Sequence, residues 1–137
     1  MKGKVFLDTN ILVYLHSLKE DRKRAISTDI LEACDCWTSM QALNEFCNVN
    51  LKKLNRSCEE IELAMDEIRS MCTICFISLD TIRYALSLHA RYRYSYYDCV
   101  MLASALQHGC KYFLSEDLSS GQIIESRLTI VNPFEST

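Results

Sequence analysis

Short apolar runs alternate along the chain with longer stretches in which apolar residues recur every three or four positions. A short apolar run is typical of a buried strand, and the longer spacing is typical of an amphipathic helix. Because helical stretches separate the strands, we expect crossover connections and a mostly parallel sheet. The predicted strands are residues 4–7, 36–38, 73–77, 111–114 and 128–131.

Six helices are predicted around these strands. Ser57 and Glu60 form a capping box at the start of the fourth, and Gly109 suits the position just after the sixth. The sixth, capped by Ser95, is apolar on nearly every side and is therefore expected to be central and buried. The first helix covers 10–17, and a charged connection over 19–24 leads to the second, whose apolar residues are Ile26, Ile30, Ala33 and Cys34. The third helix is capped by Ser39 and has apolar residues at Leu43, Cys47, Leu51 and Leu54. The fourth has an apolar stripe at Ile61, Met65, Ile68 and Cys72, and the fifth runs from a cap at Asp80 to about Tyr92.

This order of elements predicts the α/β class, as a three-layer α/β/α arrangement with a mostly parallel central sheet. A length of 137 residues is typical of one domain, so we expect residues 1–137 to form a single unit. The net charge of −3 argues against a protein that only binds a polyanion passively. It does not argue against an enzyme whose acidic site meets phosphates through bound cations.

Eight cysteines among 137 residues are fewer than a secreted disulfide scaffold would carry. The apolar run at residues 5–7 is too short for a secretory segment, and no stretch approaches the roughly 20 apolar residues of a membrane span. We therefore expect a cytoplasmic protein with reduced thiols and no membrane association. The pairs Cys34/Cys36 and Cys72/Cys75 are interpreted as small buried hydrophobic residues rather than as a zinc site.

Acidic residues follow two of the predicted strands and open the most apolar helix. Asp8 comes directly after residues 4–7, Glu116 and Asp117 follow residues 111–114, and Asp98 lies in the first helical turn after Ser95. Ligands of parallel sheets bind beyond the carboxyl ends of the strands, so these acids are expected at one edge. Taken singly, Asp8 and Asp98 are better explained as helix-capping residues, and it is their shared location that favours a site.

Glu45 has weaker support from periodicity. In helical projection it lies opposite the Leu43–Leu51 stripe, beside Gln41, Asn48 and Lys52, which predicts a solvated face. Glu45 joins a site with the other acids only if that face lines a cleft.

Clustered carboxylates repel one another, and hard divalent cations with oxygen ligands compensate that repulsion. One or two such ions can activate water and stabilise displacement at phosphorus. Other chemistries have little support: three glycines form no phosphate-binding loop, no Gly-x-Ser-x-Gly elbow is present, and the three histidines lack metal-ligand spacing. Aspartate-based phosphotransferases also place an acid after the first strand, but their second acid would stand where this chain has Asn10.

Four short motifs resemble the PIN domain family, especially VapC-like toxins of toxin–antitoxin pairs, and the resemblance covers essentially the whole chain. They are Asp8-Thr9-Asn10, Ser39-x-x-x-x-Asn44-Glu45-Phe46, Tyr96-Tyr97-Asp98 before an alanine-rich helix, and Leu114-Ser115-Glu116-Asp117-Leu118 with the later Val131-Asn132-Pro133-Phe134.

The resemblance implies a Mg²⁺- or Mn²⁺-dependent ribonuclease that is inhibited by a cognate antitoxin and that frequently forms homodimers. By position, the acidic tetrad of the family matches Asp8, Glu45, Asp98 and Asp117, which would be the catalytic and metal-binding residues. Asn10 and Ser115 match its supporting polar positions. Glu116 competes with Asp117 for the last ligand position, and the hydroxyl-x-aspartate pattern of the family favours Asp117.

Basic and aromatic residues precede Asp98 and offer contacts for RNA. Arg91 and Arg93 could meet phosphates, and Tyr94 could stack on an unpaired base. A solvated helix end with packed tyrosines explains the same residues equally well. Two other functions stay open: a PIN-like module that binds or scaffolds without cutting, and a metal-dependent phosphatase of small substrates.

Overall fold

The computed structural model describes residues 1–135 and contains one six-stranded sheet. The strand order is β3-β2-β1-β4-β6-β5, in which every pair is parallel except β5 with β6. This confirms the predicted three-layer α/β/α class with a mostly parallel sheet. The strands are β1 (Lys4–Leu7), β2 (Asp35–Ser39), β3 (Thr73–Cys75), β4 (Tyr112–Leu114), β5 (Ile123–Ile124) and β6 (Leu128–Val131).

The strands β1 and β4 are neighbours at the centre of the sheet, and both have helices packed against them. Phe6 of β1 stacks on Phe113 of β4, with ring centroids 5.2 Å apart. Because both strands run the same way, their carboxyl ends open at the same sheet edge. The helices are α1 (Thr9–Leu15), α2 (Asp21–Ala33), α3 (Met40–Lys52), α4 (Cys58–Met71), α5 (Leu79–Tyr92) and α6 (Tyr96–Gln107).

Helix α6 is buried along almost its whole length, as its composition predicts. Every residue from Cys99 to Leu106 is buried, including Ser104, whose hydroxyl donates to the Val100 carbonyl within the helix. A helix that is apolar on all sides can only be accommodated inside a domain. It therefore fixes Asp98, in its exposed first turn, against the edge of the core.

Several predicted boundaries are wrong, each for a local reason. Helix α2 begins at Asp21, inside the predicted charged connection, because an amphipathic helix keeps such residues on its solvated side. Ser78, not Asp80, caps α5, since its hydroxyl accepts the Thr81 amide. Strand β3 accordingly ends at Cys75, before residue 77, and the two-residue strand β5 was too short to leave a periodic signal.

The predicted apolar stripe of α3 is rotated relative to the observed one. Leu51 and Leu54 are exposed, whereas Phe46 and Asn50 are buried. The Asn50 amide donates to the Phe46 carbonyl at 2.7 Å, which lets a polar residue occupy a core position. Ala33 of α2, another predicted stripe residue, is also exposed. On the polar face of α3, Glu45 is consequently half-buried, whereas Asn44 and Asn48 are exposed.

All eight cysteines are free thiols, and five of them are buried. In the part of the chain that the structure describes, the longest apolar helix is still too short to cross a bilayer.

Candidate active site

Four acidic side chains meet at the carboxyl edge of the sheet. Asp8, Glu45, Asp98 and Asp117 all line one cavity of about 250 Å³. They come from the end of β1, the middle of α3, the start of α6 and the loop after β4. The structure thus brings together the four residues that the sequence analysis singled out. The rest of the lining is Thr9, Asn10, Val13, Tyr14 and Val49.

Asp8 is both a structural cap and a member of the acidic group. The Asp8 amide donates to the Leu114 carbonyl at 3.0 Å and so extends the backbone hydrogen bonding between β1 and β4, which places the Asp8 side chain at the end of β1. One carboxylate oxygen accepts the Thr9 amide at 2.7 Å and so caps α1, while the other accepts the Ser115 hydroxyl at 2.7 Å. Only 4% of Asp8 is exposed. The capping explanation is therefore correct without excluding a role in the site.

Burial makes the ionised form of Asp8 unfavourable. It raises the pKa of Asp8 from 3.8 to about 7, and the charges of Asp98 and Glu45 add to the increase. The hydrogen bonds from Ser115 and Thr9 oppose it. The folded protein therefore holds a carboxyl group that is partly protonated at neutral pH unless a cation compensates its charge.

The loop after β4 is organised around the buried Ser115 hydroxyl. This oxygen donates to Asp8 and accepts the amides of Asp117 at 3.1 Å and Leu118 at 3.3 Å. Asn10 joins the two strand ends, since its amide nitrogen donates to Asp117 at 3.1 Å and its oxygen accepts the Glu116 amide at 3.3 Å. Asn10 and Ser115 therefore hydrogen-bond to the carboxylates of Asp117 and Asp8, and their supporting role in a reaction stays a prediction.

Glu45 reaches the cavity because the polar face of α3 lines a cleft. Ser39 caps this helix at the end of β2, so Glu45 lies one turn into α3 and above the sheet edge. One carboxylate oxygen is 3.4 Å from the Thr9 hydroxyl, and the other accepts the Gln41 amide at 3.0 Å. Glu45 itself is thus half-buried against α1, whereas Asn48 and Lys52, on the same predicted face, are exposed to solvent.

Asp98 reaches the cavity from the first turn of α6. The Ser95 hydroxyl accepts the Asp98 amide at 3.2 Å, which fixes the first turn of α6. Burial raises the pKa of the Asp98 carboxyl, and the negative charge of Asp117 raises it further, against a hydrogen bond with Ser95. Two of the four acids thus resist ionisation in the metal-free protein.

Glu116 points away from this cavity. Its carboxylate accepts the Tyr14 hydroxyl at 2.5 Å and forms an ion pair with Lys23. Burial alone would raise the pKa of Glu116, but these two contacts outweigh it and lower the pKa. The geometry therefore favours Asp117 over Glu116 as the fourth acid of the site.

Two of the three residues predicted to contact RNA, Arg91 and Tyr94, form contacts elsewhere. The Arg91 guanidinium pairs with Glu125 at 2.5 Å, and the Tyr94 hydroxyl donates to Gln122 at 2.5 Å and accepts the Ser119 amide at 3.1 Å. Arg93 ends α5 in a left-handed conformation, with φ of 67°, and is exposed. Arg91 and Tyr94 brace the segment around β5, and an RNA contact for the three residues stays a prediction.

Thr9 and Gln41 belong to the site but were not identified from the sequence. Thr9 is buried between Asp8 and Glu45, and its hydroxyl also lies 3.8 Å from the Met101 sulfur. Gln41 precedes Glu45 by one helical turn, a spacing that would have indicated their hydrogen bond. Thr9 was visible only as the middle residue of the motif that begins at Asp8.

The donor set fits a hard divalent cation. The cavity lining offers carboxylate, amide and hydroxyl oxygens, and no lysine, arginine or histidine is among its residues within 1–135. In the same range, no three His, Cys, Asp or Glu side chains converge closely enough to hold an ion together. Mg²⁺ typically takes one or two carboxylates and fills its other positions with water and phosphate oxygens, so it does not require three of these acids to converge.

Comparison with known proteins gives the family. The PIN domain model matches residues 5–120, and no curated protein matches the sequence. A toxin–antitoxin complex from Klebsiella pneumoniae is 22% identical with a TM-score of 0.71, covering 96% of this chain and 99% of that chain.

Two further solved structures share the fold. VapC20 from Mycobacterium tuberculosis, a Sarcin-Ricin loop cleaving toxin, is 18% identical with a TM-score of 0.63, covering 80% of this chain and 86% of that one. FitAcB from Neisseria gonorrhoeae is 14% identical with a TM-score of 0.68, and the match covers 96% of this chain and 99% of that chain. With the family model matching most of its length and toxin–antitoxin proteins as its structural neighbours, the chain belongs to the PIN domain family.

Proposed function

We propose that this protein is a metal-dependent endoribonuclease and the toxin of a toxin–antitoxin pair. The observation that carries the proposal is the meeting of four carboxylates in one cavity whose described lining contains no cationic side chain. Such a group is electrostatically unfavourable by itself, so a bound cation is the simplest compensation. The structural neighbours, which include a toxin that cleaves the Sarcin-Ricin loop, support RNA as the substrate.

Asp8 and Asp98 would be the principal ligands of Mg²⁺ or Mn²⁺, with Glu45 and Asp117 completing the site directly or through water. When bound, the ion would activate a water molecule and neutralise charge at the phosphate. Asn10 and Ser115 hold Asp117 and Asp8 in fixed positions at the adjacent ends of β4 and β1. Because these hydrogen bonds already hold the two carboxylates, metal binding would require little reorganisation of them.

A cognate antitoxin is proposed as the regulatory partner, because structural neighbours come from toxin–antitoxin complexes. The proposed site of action is the cytoplasm, where RNA is available. An upstream reading frame for a short protein with a DNA-binding start would support this partner, and its absence would argue for another form of control.

Metal-dependent RNA cleavage tests the proposed function. The purified protein is expected to cleave a model RNA with Mn²⁺, to lose the activity on chelation and to lose it in Asp98→Asn. The matched control is Asp66→Asn, which changes an exposed acid on α4 and should cleave like the wild type. Melting temperatures of both variants check that the fold is retained.

The same assay separates the alternative functions. Cleavage of a generic phosphate ester but not of RNA would indicate a phosphatase of small substrates. A folded wild-type protein that cleaves neither substrate with Mn²⁺ or Mg²⁺ would instead indicate a PIN module that only binds or scaffolds.

We also propose a homodimer, supported by exposed apolar side chains on and beside α5. Leu79 and Leu86 are 63% and 56% exposed and lie seven residues apart, so they share one helix face, and Phe76 before the helix is 78% exposed. Exposed apolar groups of this size are typical of interaction surfaces. They offer an area that a second copy of the chain could cover.

Introducing a charge on this face is expected to break the dimer. Leu86→Lys should sediment as a monomer under conditions in which the wild type sediments as a dimer, because a buried unpaired charge is unfavourable. Leu18→Lys is the control, since Leu18 is 83% exposed in the connection between α1 and α2. A monomeric wild type, or a dimeric Leu86→Lys, would contradict this interface.

A further inference from the structure

A stripe of uncharged amide side chains runs along α3 beside the acidic cavity. Gln41, Asn44 and Asn48 follow one another at spacings of three and four residues around Glu45, so they share a helix face. Asparagine is unfavourable inside a helix because its side chain competes for backbone hydrogen bonds. Asn44 and Asn48 are both exposed in the middle of α3.

Asn44 and Asn48 contribute little to the stability of the fold. Among the described residues, neither amide side chain forms a hydrogen bond to another protein group. Gln41, in contrast, donates to Glu45 at 3.0 Å. Two helix-unfavourable residues therefore present unused donors and acceptors at one surface.

This stripe and Tyr97 together line a shallow, open groove of about 450 Å³. Glu45 lines both the groove and the acidic cavity, so the two spaces adjoin. Asp98 follows Tyr97 directly in the chain. A molecule held at the acidic cavity would therefore extend into the groove without leaving the surface.

Tyr97 presents an aromatic ring to solvent at this position. It is 58% exposed, and its ring centroid lies 5.4 Å from that of Tyr96 at an interplanar angle of 59°. Tyr96 is half-buried and packs against the hydrophobic core, so it supports the neighbouring ring. The exposed face of Tyr97 offers a surface for stacking.

The chemistry of the groove favours a nucleobase over a phosphate. Its lining residues are Gln41, Asn44, Glu45, Asn48 and Tyr97, which carry a negative charge and no positive one. A phosphate would be repelled by Glu45, and the described lining has no cationic side chain to compensate that repulsion. Unpaired bases, in contrast, stack on aromatic rings and hydrogen-bond to amide groups through their edges.

We propose that the groove binds the unpaired RNA base next to the cleaved phosphate, with the base stacked on Tyr97 and its edge against Asn44 and Asn48. The assignment rests on the proposed ribonuclease function and adds to it a subsite for sequence preference. Each asparagine amide offers one acceptor and two donors, so the pair discriminates among bases by the pattern on their edges. Tyr97 contributes affinity for any base, because every base has a stacking face.

Abasic substrates test the stacking contact. The test compares kcat/KM on a short single-stranded RNA with kcat/KM on two analogues that lack the base on one or the other side of the cleaved phosphate. The wild type is expected to lose about tenfold or more on one analogue. Tyr97→Ala should show that loss already on the intact RNA and no further loss on the analogue, whereas Tyr97→Phe should behave like the wild type.

Substitution of the asparagines tests the edge contact. On four RNAs that differ only in that base, Asn44→Ala and Asn48→Ala are expected to reduce the ratio between the best and worst substrates several-fold. The matched control is Leu63→Ala, which removes a 70% exposed apolar side chain of α4 outside the groove and should leave all ratios unchanged. Melting temperatures confirm that each variant is folded.

The outcomes separate this subsite from the proposed function. A wild type that cleaves no RNA would overturn the ribonuclease function and the subsite together. If the wild type cleaves RNA, but Tyr97→Ala loses as much activity on the abasic analogues as the wild type does, the subsite alone is overturned. An unchanged ratio between the best and worst RNA substrates in both asparagine variants would also overturn the subsite, and it would indicate that the groove binds a protein partner instead.

Discussion

Asp8→Asn is expected to stabilise the metal-free protein while abolishing its cleavage of RNA. The substitution removes a buried charge and keeps the shape and the oxygen that accepts the Thr9 amide, while the amide nitrogen that replaces the other oxygen can donate to the Ser115 hydroxyl instead of accepting from it. A rise of the Asp8 pKa from 3.8 to about 7 corresponds to about 4 kcal/mol of lost stability at neutral pH. If asparagine recovers about half of this, the melting temperature rises by roughly 5–10 °C.

The same substitution removes a principal candidate ligand. Loss of residues that merely orient metal ligands lowers affinity or activity by about 10- to 100-fold, so loss of a ligand should exceed about 100-fold. Thermal melting after chelation measures the gain in stability, and a metal-supplemented RNA assay measures the loss of activity. Asp29→Asn, on the exposed side of α2, is the control and should change neither quantity.

Opposite movements of stability and activity distinguish a strained functional residue from an ordinary helix cap. Asparagine caps a helix about as well as aspartate, so an Asp8 that served only as the cap of α1 would change the stability little on this substitution. A metal-free Asp8→Asn protein that melts at or below the wild-type temperature would therefore show that ionised Asp8 does not destabilise the fold. Full activity of the variant would remove Asp8 from the site altogether.

The central part of the fold was predictable because its signals are local. The apolar runs at β1 and β4 and the uniformly apolar α6 can be recognised without knowing what they contact. Boundaries were less predictable where two residues compete for one role. Ser78 and Asp80 are both suitable caps, and the hydroxyl of Ser78 takes the position because α5 begins one residue before Asp80.

The site was only partly predictable, since some of its contacts join distant segments. Asp8 and Asp117 follow from strand ends, but the orientation of Glu45 depends on Thr9 lying opposite it across 36 residues of chain. Residue order also gives no reason for Glu116 to turn towards Lys23, on α2. Helical periodicity describes one helix at a time, and it therefore assigned the polar face of α3 to solvent.

Competition between protons and metal at Asp8 is expected to give the protein a characteristic pH dependence. The folded metal-free state binds the Asp8 proton more tightly than the unfolded chain does, so this group favours folding at low pH. The contribution of Asp8 protonation to the free energy of unfolding is complete below about pH 4 and is lost as the pH rises through about 7. The raised pKa of Asp98 acts in the same direction. The melting temperature of the wild type, measured relative to Asp8→Asn, should therefore fall between pH 5 and pH 8 once metal is removed.

Mn²⁺ is expected to reverse that trend because it binds the ionised carboxylates. At about 100 times its dissociation constant, a ligand of the folded state adds about 2.7 kcal/mol, or roughly 10 °C for a domain of this size. The stabilisation by Mn²⁺ should be small at pH 5, where protons compete for Asp8, and largest near pH 8. Asp8→Asn supplies the control and should show little shift at either pH. A Mn²⁺ shift that is equal at both pH values, or equal in the variant and the wild type, would place the ion away from Asp8.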